Sequence, residues 1–321
     1  MASEITTRQK LVTSLIGATL TTGSLGMRLL PGARAWADGV EVLKDIPYKD
    51  DFGPQHTLDV YRPTKRDGPL PVLFYVHGGG FSLLSKDTHW MFGRGFARQG
   101  FVVFSIDYTL SGEAPFPAAA KDVFAAYQWV AERAVHYEGD ASRMALAGES
   151  AGANLILALL IAQCWRRPEP WAAGVFEAAG EVGVAKAALP ACGMLQVSNP
   201  ERYLSMESVP TWMRDRIAVV CQRYLVDASG DPDAFSLADP LRFLEEAPPP
   251  DRPLPPMLAV CGNSDPIADD TRRLGALMKR WDNGSADAWW DGEFHAFHAF
   301  LWRKAAQEAW DRQVQFLKQH V

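Results

Sequence analysis

One stretch narrows the possible folds more than any other. Arg143–Ala147 (RMALA) is a short apolar run of the kind that forms a strand covered on both faces. Ala151–Trp165 is apolar almost throughout, which suits a buried helix. Between the two stands Gly148-Glu149-Ser150-Ala151-Gly152. Small residues at 148 and 152 permit a sharp strand-to-helix turn, and such a turn lifts the Ser150 hydroxyl above the sheet at a helix N-terminus. A lone G-x-S-x-G arises by chance in many proteins, so it is the strand before and the helix after that give this one meaning.

The rest of the chain repeats the alternation. Leu70–Val76 (LPVLFYV) and Phe101–Ile106 (FVVFSI) are continuous apolar runs, and Ala185–Leu189, Met257–Val260 and Ala286–Trp290 resemble them. His56–Tyr61 alternates polar and apolar residues and reads as a half-buried strand that stops at Pro63. Helical spacing runs through Pro117–His136, Asp270–Trp281 and Ala299–Leu317. Strands alternating with helices predict an α/β protein with a mostly parallel central sheet and helices on both faces. The alternation lapses over about 199–246, where Thr211–Val226 is helical and a proline-rich linker leads back to the core. An inserted helical cap over the site is expected there, with a surface embellishment as the plain alternative.

With 321 residues, 48% hydrophobic and 22% charged, the chain has a globular balance that excludes wholesale disorder. Thirty-two Lys and Arg against 38 Asp and Glu give a net charge of −6, with no basic block, so a nucleic-acid partner is not suggested. No run approaches about 18 uninterrupted apolar residues, so no membrane span is expected. Four cysteines are too few for a disulfide scaffold. Cys192 and Cys261 are read as buried thiols, although in an exported chain they could pair. Residues 1–37 combine Arg8 and Lys10, an apolar middle and Ala35-Trp36-Ala37. They read either as an export signal ahead of a catalytic domain at 38–321 or as an N-terminal helix packed over it. The first reading places the protein in the periplasm or outside, the second in the cytoplasm.

Three further motifs carry chemistry. His77-Gly78-Gly79-Gly80-Phe81 follows the strand LPVLFYV. Its glycines leave N–H groups uncovered that can meet an oxyanion, or they serve a flexible turn. Asp265 lies just past the strand at 257–260, where parallel sheets gather catalytic groups, but Pro266 also allows it to be a helix cap. His295 lies between the last strand and the last helix, with His298 as a rival three residues on. The order Ser150, Asp265, His295, each after a predicted strand, is the order of the α/β-hydrolase triad.

On HGGGF (77–81), DYTLSGEAPFPAAAKDV (107–123), GESAGANL (148–155), GNSDPIADDTRRL (262–274) and GEFHAFHAF (292–300), the chain resembles the hormone-sensitive-lipase-like group of α/β-hydrolases, the bacterial family IV esterases. The resemblance spans roughly residues 56–320 and implies the α/β-hydrolase fold. It implies a triad of Ser150, Asp265 and His295, and an oxyanion hole from the N–H groups of Gly78, Gly79 and Ala151. Two departures stand out. His295-Ala296-Phe297 replaces the usual His-Gly-Phe, and Thr109 stands where the family often has Arg. The expected reaction is hydrolysis of short or medium acyl esters by water through an acyl-enzyme, with no metal or organic cofactor. An amide or formamide hydrolase with the same triad is the alternative, and a non-catalytic ligand receptor on the same fold a more distant one. Many α/β-hydrolases are dimers, so a homodimer is compatible with the resemblance.

Overall fold

The computed structural model describes residues 7–28, 38–50, 53–204, 209–225 and 236–321. In chain order the elements are α1 (Thr7–Met27), β1 (Val40–Pro47), β2 (Thr57–Pro63), β3 (Leu70–Val76), α2 (Trp90–Ala97), β4 (Val102–Ile106), α3 (Ala118–Arg133) and β5 (Gly139–Glu149). There follow α4 (Ala151–Cys164), α5 (Pro170–Val182), β6 (Ala187–Ala191), α6 (Glu201–Leu204), α7 (Thr211–Tyr224), α8 (Pro240–Glu246), β7 (Leu258–Gly262), α9 (Ala268–Met278), β8 (Ala286–Trp290) and α10 (Lys304–His320). The strands form one sheet in the order β1-β2-β4-β3-β5-β6-β7-β8. The pairs β1–β2 and β2–β4 are antiparallel, and every other pair is parallel.

Alternation along the inner strands divides the core in two. Val72, Phe74 and Val76 of β3 pack with Val102, Phe104 and Ile106 of β4 against α3 and α4. Leu73 and Tyr75 point to the other face, where they meet Phe92 and Phe96 of α2 and Trp310 of α10. These strands are covered on both sides, which is why they read as continuous apolar runs. Helix α4 has no polar face because α3, α5, α8 and the sheet enclose it, and all fourteen of its residues are buried.

The expected strands are present; most displaced ends shift by one or two residues, and β5 begins four residues before the expected Arg143. The added strand is β1, an edge strand whose Glu41, Lys44 and Asp45 interrupt any apolar pattern. Asp45 takes a left-handed φ of 55° at an irregularity in the β1–β2 pairing. Helix α7 falls within the expected helical stretch Thr211–Val226, although Val226 itself lies outside the described residues. Helices α2, α5 and α8 were not evident from spacing.

At the N-terminus α1 lies against the segment that follows the glycine loop. Ser24 Oγ donates to Thr88 O, Trp90 Nε1 donates to Ser24 O at 3.2 Å, and Arg28 donates to Asp87 O. Ala35-Trp36-Ala37 lies outside the described residues. Among the described residues no helix is long and apolar enough to cross a membrane.

Candidate active site

The site is assembled at the C-terminal ends of the parallel strands, where four loops converge. Ser150 sits between β5 and α4 with φ 53° and ψ −115°, a backbone that a non-glycine residue adopts only under constraint. The constraint is visible at Gly152, where a Cβ would collide with Val76 O and lie 2.7 Å from His77 O. The turn is closed by Ser150 N–H donating to Ala191 O at 2.9 Å, which ties it to the end of β6.

His295 Nε2 lies 3.0 Å from Ser150 Oγ, and His295 Nδ1 lies 2.8 Å from Asp265 Oδ2. Asp265 is buried and divides its oxygens: Oδ1 accepts from Ile267 N–H at 2.9 Å just ahead of α9, while Oδ2 holds the imidazole. Helix α9 takes Ile267 as its N-cap with no side-chain cap bond, so Oδ1 closes a turn ahead of the helix and does not cap it. The histidine side chain keeps 33% of its surface exposed. Burial resists its protonation, but the charge and hydrogen bond of Asp265 outweigh burial and hold its pKa above the ordinary value.

His298 is elsewhere. A short 3-10 turn over Phe297–Ala299 carries it into the interior, with Nε2 3.4 Å from Glu149 Oε2 and its carbonyl accepting from Trp310 Nε1. The turn, and Ala296 before it at φ 55° and ψ 28°, leave His295 beside Ser150 and His298 in the interior.

The glycine loop is held from below. Tyr108 stacks on His77 with centroids 4.4 Å apart, and its hydroxyl donates to His77 O at 3.0 Å. His77 Nδ1 donates to Gly78 O at 2.7 Å, and burial, helped by nearby His89, lowers its pKa to about 3, so the ring is neutral. Gly79 has φ 116°, and a Cβ there would collide with Leu83 O. Among the described residues no protein acceptor takes the Gly78 or Gly79 N–H, and Ala151 N–H opens α4, where first-turn donors have no intrahelical partner. Over the loop lies α7: Tyr224 stacks on Phe81 at 3.7 Å, and Val220 would be 2.9 Å from a Cβ on Gly80.

Two ion clusters near the loop have no signature in the sequence. Lys86 is buried, with Nζ 2.6 Å from Asp45 Oδ1 and 3.2 Å from Asp59 Oδ1, and its N–H donates to Asp107 Oδ1 at 2.7 Å. Burial opposes the Lys86 charge, and the surrounding carboxylates more than compensate, so its pKa is raised. At Thr109 the backbone N–H donates to Asp122 Oδ2 at 2.8 Å, and Asp122 in turn pairs with Lys49 and with His56 Nε2.

All four cysteines are free and buried. Cys192, Asp265 and His295 have donor atoms within 4.8 Å of one another, the one such group among the described residues. It is poorly suited to a metal, since burial keeps the Cys192 thiol protonated and His295 Nδ1 is already committed to Asp265.

A family profile described as an alpha/beta hydrolase fold matches residues 73–299. Carboxylesterase NlhH of Mycobacterium tuberculosis is 44% identical over 119 residues, which is 36% of this chain and 34% of that protein. Hormone-sensitive lipase of Bos taurus is 31% identical over 155 residues, 48% of this chain and 19% of that one. The matched region thus spans about a third or less of these relatives' length. Among solved structures, the hyperthermophilic esterase of the archaeon Pyrobaculum calidifontis superposes with a TM-score of 0.71 at 26% identity, covering 96% of this chain and 91% of that one.

Proposed function

Because the chain belongs to the α/β-hydrolase fold family, we propose that it is a serine-dependent hydrolase of carboxylic esters with short to medium acyl chains. The observation that carries the reading is the relay of hydrogen-bond distances, 3.0 Å from Ser150 Oγ to His295 Nε2 and 2.8 Å from His295 Nδ1 to Asp265 Oδ2. A free serine hydroxyl is a poor nucleophile at neutral pH. His295 accepts its proton as Ser150 Oγ attacks the ester carbonyl carbon. Asp265 keeps the proton on Nδ1, so that Nε2 is the basic nitrogen, and stabilises the imidazolium that forms.

The carbonyl oxygen becomes an oxyanion facing the N–H groups of Gly78, Gly79 and Ala151. One such donor is typically worth about 3–4 kcal/mol of barrier. Collapse of the tetrahedral intermediate breaks the bond to the alcohol oxygen, which takes its proton from His295, and leaves acyl-Ser150. Water, deprotonated by His295, then releases the acid. We assign the segment around α7 the role of a cap, on the ground that Val220 and Tyr224 overlie the glycine loop.

The test is hydrolysis of p-nitrophenyl esters from acetyl to palmitoyl by wild type and Ser150→Ala. Turnover is expected to peak at short chains and to fall by about four orders of magnitude in the variant, with thermal stability unchanged. Turnover by a folded Ser150→Ala within tenfold of wild type would overturn the assignment. A wild type active on anilides or formamides and silent on every ester would move the reading to an amide hydrolase.

A further inference from the structure

Beneath the nucleophile lies a buried ion cluster that the reaction above does not use. Glu149 immediately precedes Ser150, and its side chain points down into the core. Its Oε1 is 2.7 Å from His89 Nε2 and its Oε2 is 3.4 Å from His298 Nε2. A Cβ added to Gly78 would lie 2.8 Å from the same Oε1, so the carboxylate also touches the glycine loop. One side chain therefore borders the nucleophile turn, the glycine loop, the start of α2 at His89 and the loop that carries His295.

The charge state follows from the partners. His89 Nδ1 faces Ser85 O at 3.0 Å and Thr88 Oγ1 at 2.9 Å, and Thr88 Oγ1 spends its own proton on Ser85 O at 2.7 Å. Both ring nitrogens of His89 thus face acceptors, which is the pattern of an imidazolium. Burial disfavours that charge, but Glu149 overrides it and raises the His89 pKa. The result is an ion pair of Glu149 carboxylate and charged His89 in the interior.

The third arm is incomplete in protein atoms alone. Tyr75 OH, Glu149 Oε2 and His298 Nδ1 are buried and have no hydrogen-bond partner among the described residues. All three residues line one cavity of about 10 Å³, room for the centre of a single water molecule, with Phe92 and Gln313 also on its wall. A polar pocket of that size with three unsatisfied groups suits one ordered water.

We propose that Glu149 is a positioning residue, which through His89, His298 and one water bound in this cavity holds the nucleophile, glycine and histidine loops in mutual register. The inference rests on the serine-hydrolase reading, since it is the spacing of Ser150, His295 and the oxyanion donors that the cluster preserves. Misplacing such groups by about 1 Å can cost as much as a hundredfold in rate.

The test uses the full chain as wild type and in three variants, Glu149→Gln, His298→Leu and His298→Gln. Reactive serine is titrated with a fluorophosphonate probe, and kcat and KM are measured on p-nitrophenyl acetate. Glu149→Gln and His298→Leu are expected to lower kcat about 10- to 100-fold with KM within about twofold and the serine still titratable. His298→Gln keeps a donor near the place of Nε2 and is expected to recover most of the lost kcat. A high-resolution crystal structure should show a water within hydrogen-bonding distance of Tyr75, Glu149 and His298. If Glu149→Gln does not fold, the His298 pair decides. Wild-type kcat in folded His298→Leu, an effect on KM alone, or failure of Gln to rescue would overturn the positioning role; no water at the three atoms would overturn the bound-water arm. A wild type that neither titrates nor turns over any ester would instead overturn the hydrolase reading, and this inference with it.

Discussion

Ala296 is held in the left-handed region, at φ 55° and ψ 28°, between the histidine that meets Ser150 and the buried Phe297. A residue with a Cβ pays about 1–2 kcal/mol for that backbone, and glycine does not. Ala296→Gly should therefore stabilise the protein, by about 1 kcal/mol once the greater freedom of glycine in the unfolded chain is deducted, measured by urea unfolding. A second prediction concerns the neighbouring ring. On the proposed mechanism His295 must be neutral to accept the serine proton, and Asp265 raises its pKa above 6.5 despite burial. Accordingly kcat/KM should fall as pH drops through a value above 6.5; an acid limb at or below 6.5 would show that burial outweighs Asp265. The same coupling stabilises the fold in the opposite sense. Its contribution is complete below the unfolded-state value and disappears as pH rises through the folded one. The motif by itself does not separate His295 from His298, because each is followed by Ala-Phe, and the sequence favours His295 only as the first histidine after the last predicted strand and the Gly292-Glu293 turn. What separates them is the backbone at Ala296 and the turn after it, which no side-chain pattern encodes.

Among the elements, those buried on both faces were the legible ones. Leu70–Val76 is a strand over the whole of the expected range, because inner strands of this kind leave unbroken apolar runs; Ala286–Trp290 also matches its expected range, although it is an edge strand, half-buried and interrupted by Asp287. Edge strand β1 gave no such run: it has a neighbour only in β2 and carries Glu41, Lys44 and Asp45. Helix α2 was equally hidden, since Trp90, Met91, Phe92, Gly93, Phe96 and Ala97 are all buried and leave no polar face to set a period. Helix α7 offers the sharpest test of how elements meet. Tyr224 is buried and stacks on Phe81, whereas Trp212, at the other end of the same helix, is 63% exposed. Tyr224→Ala should cost about 3 kcal/mol and lower kcat/KM by loosening the loop beneath it, while Trp212→Ala should change stability by less than about 0.5 kcal/mol. Thermal melts and steady-state kinetics on both variants would check the contrast, and equal effects would remove α7 from the site's support.

At the scale of the molecule, the candidate site is a property of strand direction. Ser150, Asp265 and His295 follow β5, β7 and β8, and a parallel sheet delivers all three ends to one rim. That is why chain order and strand ends sufficed to nominate them. The cluster around Glu149 has no signature in the sequence for the converse reason: its partner His89 lies 60 residues away on a loop with no period. Proximity of that kind exists only in three dimensions. Ser150 and His295 themselves stand 145 residues apart and meet only when β6, β7 and β8 have joined the sheet. In a chain whose β7 and β8 have not yet joined the sheet, Ser150 has no base beside it. On the proposed mechanism, turnover during refolding is expected to appear only once β7 and β8 have joined the sheet.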